Sequence, residues 1–158
     1  MEMEHPTHRP GHQALRRGRV SQPGQVYFIT TTTVRRTPFF ADYLLGHTAI
    51  ACLFDRAVLG DSRILAFVLM PDHLHFILTL GHIHELSDTV SRLKANMARQ
   101  VNRCLARQGA VWSRGYYEHA LRHEDDIVGI ARYIVANPLR AGLVKHLADY
   151  PLWDAIWL

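Results

Sequence analysis

Hydrophobic and polar positions along this chain change period several times, and each change marks an element. Residues 26–34 read VYFITTTTV, dense in β-branched and aromatic side chains, and predict a first strand. Leu44, Leu45, Ala49, Cys52, Leu53 and Ala57 then recur at helical spacing and Gly60 follows as a stop, which predicts a helix over 43–59. Two short apolar runs, 63–69 and 73–80, flank Met70-Pro71-Asp72 and predict a hairpin with a tight turn. In the second run Leu74, Phe76, Leu78 and Leu80 fall on one face, and His73, His75, Ile77 and Thr79 on the other. Three-to-four spacing of Leu86, Val90, Leu93, Met97, Val101 and Leu105 predicts a second helix over 86–107. A fourth strand is expected at 116–121, and a last helix over 125–137 with Ile127, Ile130 and Ile134 as its apolar stripe. The order βαββαβ plus a terminal helix predicts an α/β (α+β) sandwich of the ferredoxin-like, RRM-like kind, with a four-stranded antiparallel sheet and a C-terminal helix.

The chemistry sits at two places in this pattern. His73 and His75 alternate onto one strand face and form a pair that can ligate a metal. Tyr133 and Asn137 are four apart on a helix, so a tyrosyl hydroxyl and an amide oxygen are presented together, at the edge of the apolar stripe. If helix and strand face each other, two imidazoles and one amide oxygen bind a divalent cation beside the hydroxyl, an arrangement suited to phosphodiester transfer onto tyrosine. A mixed nitrogen and oxygen set favours Mn²⁺ over Mg²⁺ in vitro. A tyrosyl hydroxyl is a weak nucleophile at neutral pH and needs a nearby cation, for which the metal and Arg132 or Arg140 are available. Each piece also has a bland reading. The histidines can be hydrogen-bonded core groups, the tyrosine a core-edge residue, and Asn137 before Pro138 a helix terminator.

Composition narrows the classes. A length of 158 residues with 48% hydrophobic content fits one domain, expected over 23–158 behind a Pro-, His- and Arg-rich arm at 1–22. The arm carries Arg16, Arg17 and Arg19, which leaves both an inert tail and a DNA-touching arm open. A net charge of +4 is concentrated before Val20, along 92–107 and along 132–145, and favours a polyanionic partner. Arg92, Lys94, Arg99 and Arg103 form a polar stripe on the second helix that reads either as a solvated face or as a phosphate-facing one. Cys52 and Cys104 sit in helical apolar patterns without CxxC spacing, and are expected to be reduced core residues of a cytosolic protein. No apolar run has the length of a signal peptide core or a membrane span, so a soluble, cytoplasmic protein is expected, associated with the nucleoid and with no membrane partner.

MPDHLHFIL, then Lys94 and Asn102, VWSRGYYEHALR, ARYIVANPLRAGLV and the closing DYPLW resemble the HUH single-tyrosine transposases, and within them the REP-associated tyrosine transposase branch, over about residues 23–154. The resemblance implies that His73, His75 and Asn137 hold a divalent metal, Mg²⁺ or Mn²⁺, and that Tyr133 is the catalytic nucleophile. It implies attack on single-stranded DNA beside a hairpin, a 5′-phosphotyrosine link, a free 3′-OH and reversal of the step to join strands. Insertion-sequence relatives usually carry Gln where this chain has Asn137, and the shorter residue matches the REP-associated branch. Relatives act as homodimers with the tyrosine helix in trans or as monomers, and both states stay open for this chain. The basic residues expected to contact DNA are Arg16, Arg17, Arg19, Arg92, Lys94, Arg99, Arg103, Arg132 and Arg140.

Two other functions compete. A non-catalytic module would hold single-stranded nucleic acid on the open sheet through Tyr116 and Tyr117. A metal hydrolase would join His82 and His84 to His73 and His75.

Overall fold

The computed structural model describes residues 21–158, with the side chain of Asp125 excepted. Arg16, Arg17 and Arg19 therefore lie outside the described residues, as does most of the expected arm. Strand β1, Val26–Thr32, is shorter than its β-forming run, because the chain leaves the sheet at Thr33 for a single 3-10 turn at Val34–Arg36. The expected helix over 43–59 divides into α1, Tyr43–Ile50, a 3-10 turn, Ala51–Phe54, and α2, Arg56–Leu59. Asp55 makes the break. Its backbone is extended and its carboxylate accepts the N–H of Ala57, so it caps a new helix instead of continuing the old one.

Strands β2, Arg63–Met70, and β3, His73–Thr79, form the expected hairpin around Pro71 and Asp72. Helix α3, Leu86–Leu105, ends two residues before the expected boundary. Ala106 turns left-handed and the N–H of Arg107 closes back on the Asn102 carbonyl. This last turn overruns the core, so Cys104 is exposed rather than buried as expected, whereas Cys52 is buried; neither is in a disulfide. Strand β4, Tyr117–Leu121, leads to α4, Glu124–Val135, and a short α5, Asn137–Arg140.

The sheet is antiparallel in the order β4-β1-β3-β2-β5, which contains the four-stranded ferredoxin-like order and adds an edge strand, β5, Trp153–Ala155, beyond β2. Leu74, Phe76 and Leu78 are fully buried on one face, where Phe67 meets Phe54 of the α1–α2 connection. On the opposite face His73 and His75 alternate with them, and α4 packs across β2 and β3 over Ala66, Val68 and Ile77, all buried. Helices therefore lie on both faces of the sheet, with α4 on the histidine side. Among the described residues no helix is long and apolar enough to cross a membrane.

Candidate active site

His73 and His75 stand at the start of β3, between β1 and β2, with ring centroids 4.8 Å apart and planes at 79°. Each ring is held at Nδ1. Asp72 Oδ1 lies 2.7 Å from Nδ1 of His73, and Thr30 Oγ1 lies 2.7 Å from Nδ1 of His75. Register explains the second contact, since Thr30 is directly opposite His75 across the β1–β3 ladder. Neither Nε2 has a hydrogen-bond partner among the described residues. Burial pushes the His73 imidazole below its ordinary value, and burial with His73, Arg140 and Arg36 nearby pushes His75 down to about 3. Both rings are neutral at physiological pH, the form in which imidazole ligates a metal. Burial raises the Asp72 carboxyl, but hydrogen bonding and charge from His73 and Arg36 outweigh it and hold the group below the usual carboxylate range.

The second half of the site is built on α4 and α5. Ala131, Ile134 and Val135 are buried against the sheet, which turns Tyr133 to the helix flank, 53% exposed. The Arg140 guanidinium sits 3.9 Å from the Tyr133 ring centroid and donates from Nη2 to Asn137 Oδ1 at 2.9 Å. Asn137 opens α5, with Ala136 at the junction, so the chain stays helical through the residue before Pro138 instead of ending there. Its Nδ2 is buried with no hydrogen-bond partner. The tyrosine helix α4 packs against the histidine strand β3, and Arg140 is among the charges that depress His75.

These residues fit a divalent cation. Two neutral imidazoles present Nε2 atoms with no hydrogen-bond partner among the described residues, and the Asn137 Oδ1, which accepts from Arg140, keeps a second lone pair on α5, a helix packed against the neighbouring strand β2. No group of three or more His, Cys, Asp or Glu side chains suited to a metal occurs among the described residues, so a ligand set needs the Asn137 oxygen to reach three protein donors. His82 and His84 do not join them. They follow the far end of β3, roughly 20 Å from His73 at the rise of an extended strand. There His82 faces Asp61 at 3.6 Å and His84 faces Asp88 at 3.0 Å. The four-histidine hydrolase is set aside on that separation.

The expected phosphate stripe on α3 divides. Arg92 donates to the carbonyls of Val58 and Ala57, and Lys94 to those of Ser113 and Gly115, so both act inside the fold. Arg99 is exposed and donates to Asn96, while Arg103 and Arg132 are exposed at helix ends. Sequence reasoning missed Thr30, Arg36 and Asp72. Asp72 is the residue before His73 and was legible as a local partner, whereas the other two arrive through β1 pairing and the turn after it.

The described residues thus set a histidine pair on the central strand of an antiparallel sheet and a tyrosine on the helix packed across it. Residues 24–137 match the family described as Transposase IS200 like, and the chain belongs to that family. A REP-associated tyrosine transposase of Escherichia coli K12 is 31% identical over 108 residues, covering 68% of this chain and 61% of the relative. A Haemophilus influenzae protein whose name places it in the same REP-associated group is 28% identical over 96 residues, 54% of each chain. The chain thus spans between half and two thirds of the length of these curated relatives. Among solved structures, a REP-associated tyrosine transposase bound to a REP hairpin superposes with a TM-score of 0.65 at 27% identity, over 85% of this chain and 79% of that one. A Deinococcus radiodurans protein shares the fold, with a TM-score of 0.50 at 22% identity over 74% of this chain and 93% of that one.

Proposed function

We propose that this chain is a metal-dependent single-stranded DNA endonuclease and strand transferase that works at DNA hairpins through a covalent 5′-phosphotyrosine on Tyr133. The observation that carries the reading is the exposed Tyr133, clamped by Arg140 beside Asn137, on a helix packed over the strand that bears His73 and His75. Family membership and the likeness to a solved relative bound to a REP hairpin support the substrate class.

His73 and His75, through Nε2, and Asn137, through Oδ1, would hold Mg²⁺ or Mn²⁺, which supplies charge neutralisation at the scissile phosphate. The rest is done by the chain itself. Tyr133 Oη attacks phosphorus, the bond from phosphorus to the 3′ oxygen breaks, and the tyrosyl proton passes through solvent to that departing oxygen, which becomes a free 3′-OH. The phosphotyrosine keeps the bond energy, so attack by a 3′-OH in reverse rejoins strands without a high-energy cofactor. Arg140 fixes the phenol ring by stacking and offers its cation next to the reacting phosphate. Arg99, Arg103 and Arg132, with Arg16, Arg17 and Arg19 of the N-terminal stretch, would contact phosphates along the strand. The packing of α4 on β2 and β3 of its own chain supports a site completed in cis.

The test is incubation with Mn²⁺ and end-labelled single-stranded hairpins followed by a denaturing gel. The expected result is a protein–DNA adduct that Tyr133→Phe lacks, with cleavage lost in His73→Ala and His75→Ala while binding persists. Binding without cleavage across hairpins and metals would instead select the nucleic-acid-binding module, for which Tyr117, 52% exposed on the histidine face, offers a stacking surface.

A further inference from the structure

We propose that Asp72, braced by Arg36, is a positioning residue that sets the tautomer and direction of the His73 ring for cation binding; this rests on the metal reading of the site given above. Asp72 uses both carboxylate oxygens. Oδ1 takes Nδ1 of His73 at 2.7 Å and Oδ2 takes Nε of Arg36 at 3.0 Å. An ionised carboxylate only accepts, so the proton of the His73 ring resides on Nδ1 and the lone pair on Nε2. A carboxylate behind a ligating imidazole also raises its basicity as a ligand.

The backbone that delivers Arg36 is strained. Arg35 and Arg36 are both left-handed, at φ 54° and 55°, conformations unfavourable for a non-glycine residue that persist where the surroundings impose them. Here the surroundings are hydrogen bonds that fasten this turn to the hairpin turn carrying Asp72. The N–H of fully buried Thr33 donates to the Asp72 carbonyl at 2.9 Å. Its hydroxyl reaches the carbonyls of Thr37 at 2.8 Å and Asp72 at 3.1 Å. Thr37 returns a hydroxyl bond to the Val34 carbonyl at 2.8 Å, and Phe40 N–H bonds the Pro71 carbonyl at 3.0 Å. Two loops separated in sequence are thereby one unit whose product is a cation on the far oxygen of Asp72. At His75 the neutral Thr30 hydroxyl stands at Nδ1 in place of a carboxylate.

Mn²⁺ affinity is measured on the full chain without DNA, from the electron paramagnetic resonance signal of free Mn²⁺, and the His73 tautomer from ring ¹⁵N shifts of the metal-free protein. The wild type is expected to bind Mn²⁺ with His73 protonated at Nδ1, and His73→Ala to abolish binding. Asp72→Ala should weaken Mn²⁺ binding about 10–100-fold and move His73 toward a mixture of tautomers. Arg36→Gln alters a side chain 57% exposed and safe for folding, and should weaken it about two- to fivefold. Unchanged affinity and tautomer in Asp72→Ala, or in Arg36→Gln should the former fail to fold, would overturn the positioning role and leave the proposed function standing. A wild type that binds no Mn²⁺, or a His73→Ala variant that binds it equally well, would overturn the metal site and the positioning role together.

Discussion

Arg140 ties together the tyrosine half of the site. It stacks on Tyr133, hydrogen-bonds Asn137 and places its charge near His75. Arg140→Ala is expected to slow adduct formation on the order of 10²-fold by releasing the phenol ring, as small misplacements of a reacting group do. It should shift folding stability by no more than about 1 kcal/mol, since the side chain is exposed. Arg140→Lys retains charge without the planar guanidinium and should recover little of the rate. Single-turnover kinetics and urea unfolding separate the two quantities. At this scale the placement of His73 and His75 on one strand face was legible from the strand period, while Tyr133 and Asn137 fall four apart in a helical run that the structure divides between α4 and α5. Thr30 and Arg36 were not legible, because their roles come from strand register and a left-handed turn that no local pattern announces.

Elements were legible where an apolar period runs long enough. The hairpin, α3 and α4 came from alternation or three-to-four spacing, and the histidine face followed from it. The break at Asp55 was hidden because apolar spacing continues through it while the capping carboxylate decides the backbone. Strand β5 was hidden for another reason: three residues carry no period, and β2 dictates the pairing. Tyr150 anchors that closing segment by donating its buried hydroxyl to the Leu69 carbonyl of β2. Burial, with Tyr43 adding to it, raises the Tyr150 phenol well above its ordinary value. A raised phenol contributes stability below the unfolded value of about 10, and that contribution is lost as pH climbs through the folded one. Tyr150→Phe is therefore expected to cost about 1–3 kcal/mol at neutral pH, from the carbonyl left unpaired, and to flatten the alkaline fall in stability. Urea midpoints between pH 7 and pH 11 measure both.

Across the whole molecule, the net charge of +4 matters by where it is unpaired. Composition pointed to a polyanion but could not sort the cations, since a stripe on α3 looks alike whether its members face solvent or backbone carbonyls. Arg99→Ala and Arg103→Ala are expected to weaken single-stranded DNA binding and to lower the slope of log affinity against log salt by about 0.7 for each phosphate no longer neutralised. Arg92→Ala should leave that slope unchanged and reduce stability, because its guanidinium ties α3 to the carbonyls that end α2. Fluorescence anisotropy over a salt series discriminates the two groups. Attachment of the DNA strand to Tyr133 is read by mass spectrometry of the adduct after nuclease and protease digestion. The expected product is a nucleotide linked through its 5′-phosphate on the peptide containing Tyr133; cleaved DNA with that peptide unmodified, or with the phosphate on another side chain, would rule out Tyr133 as the nucleophile.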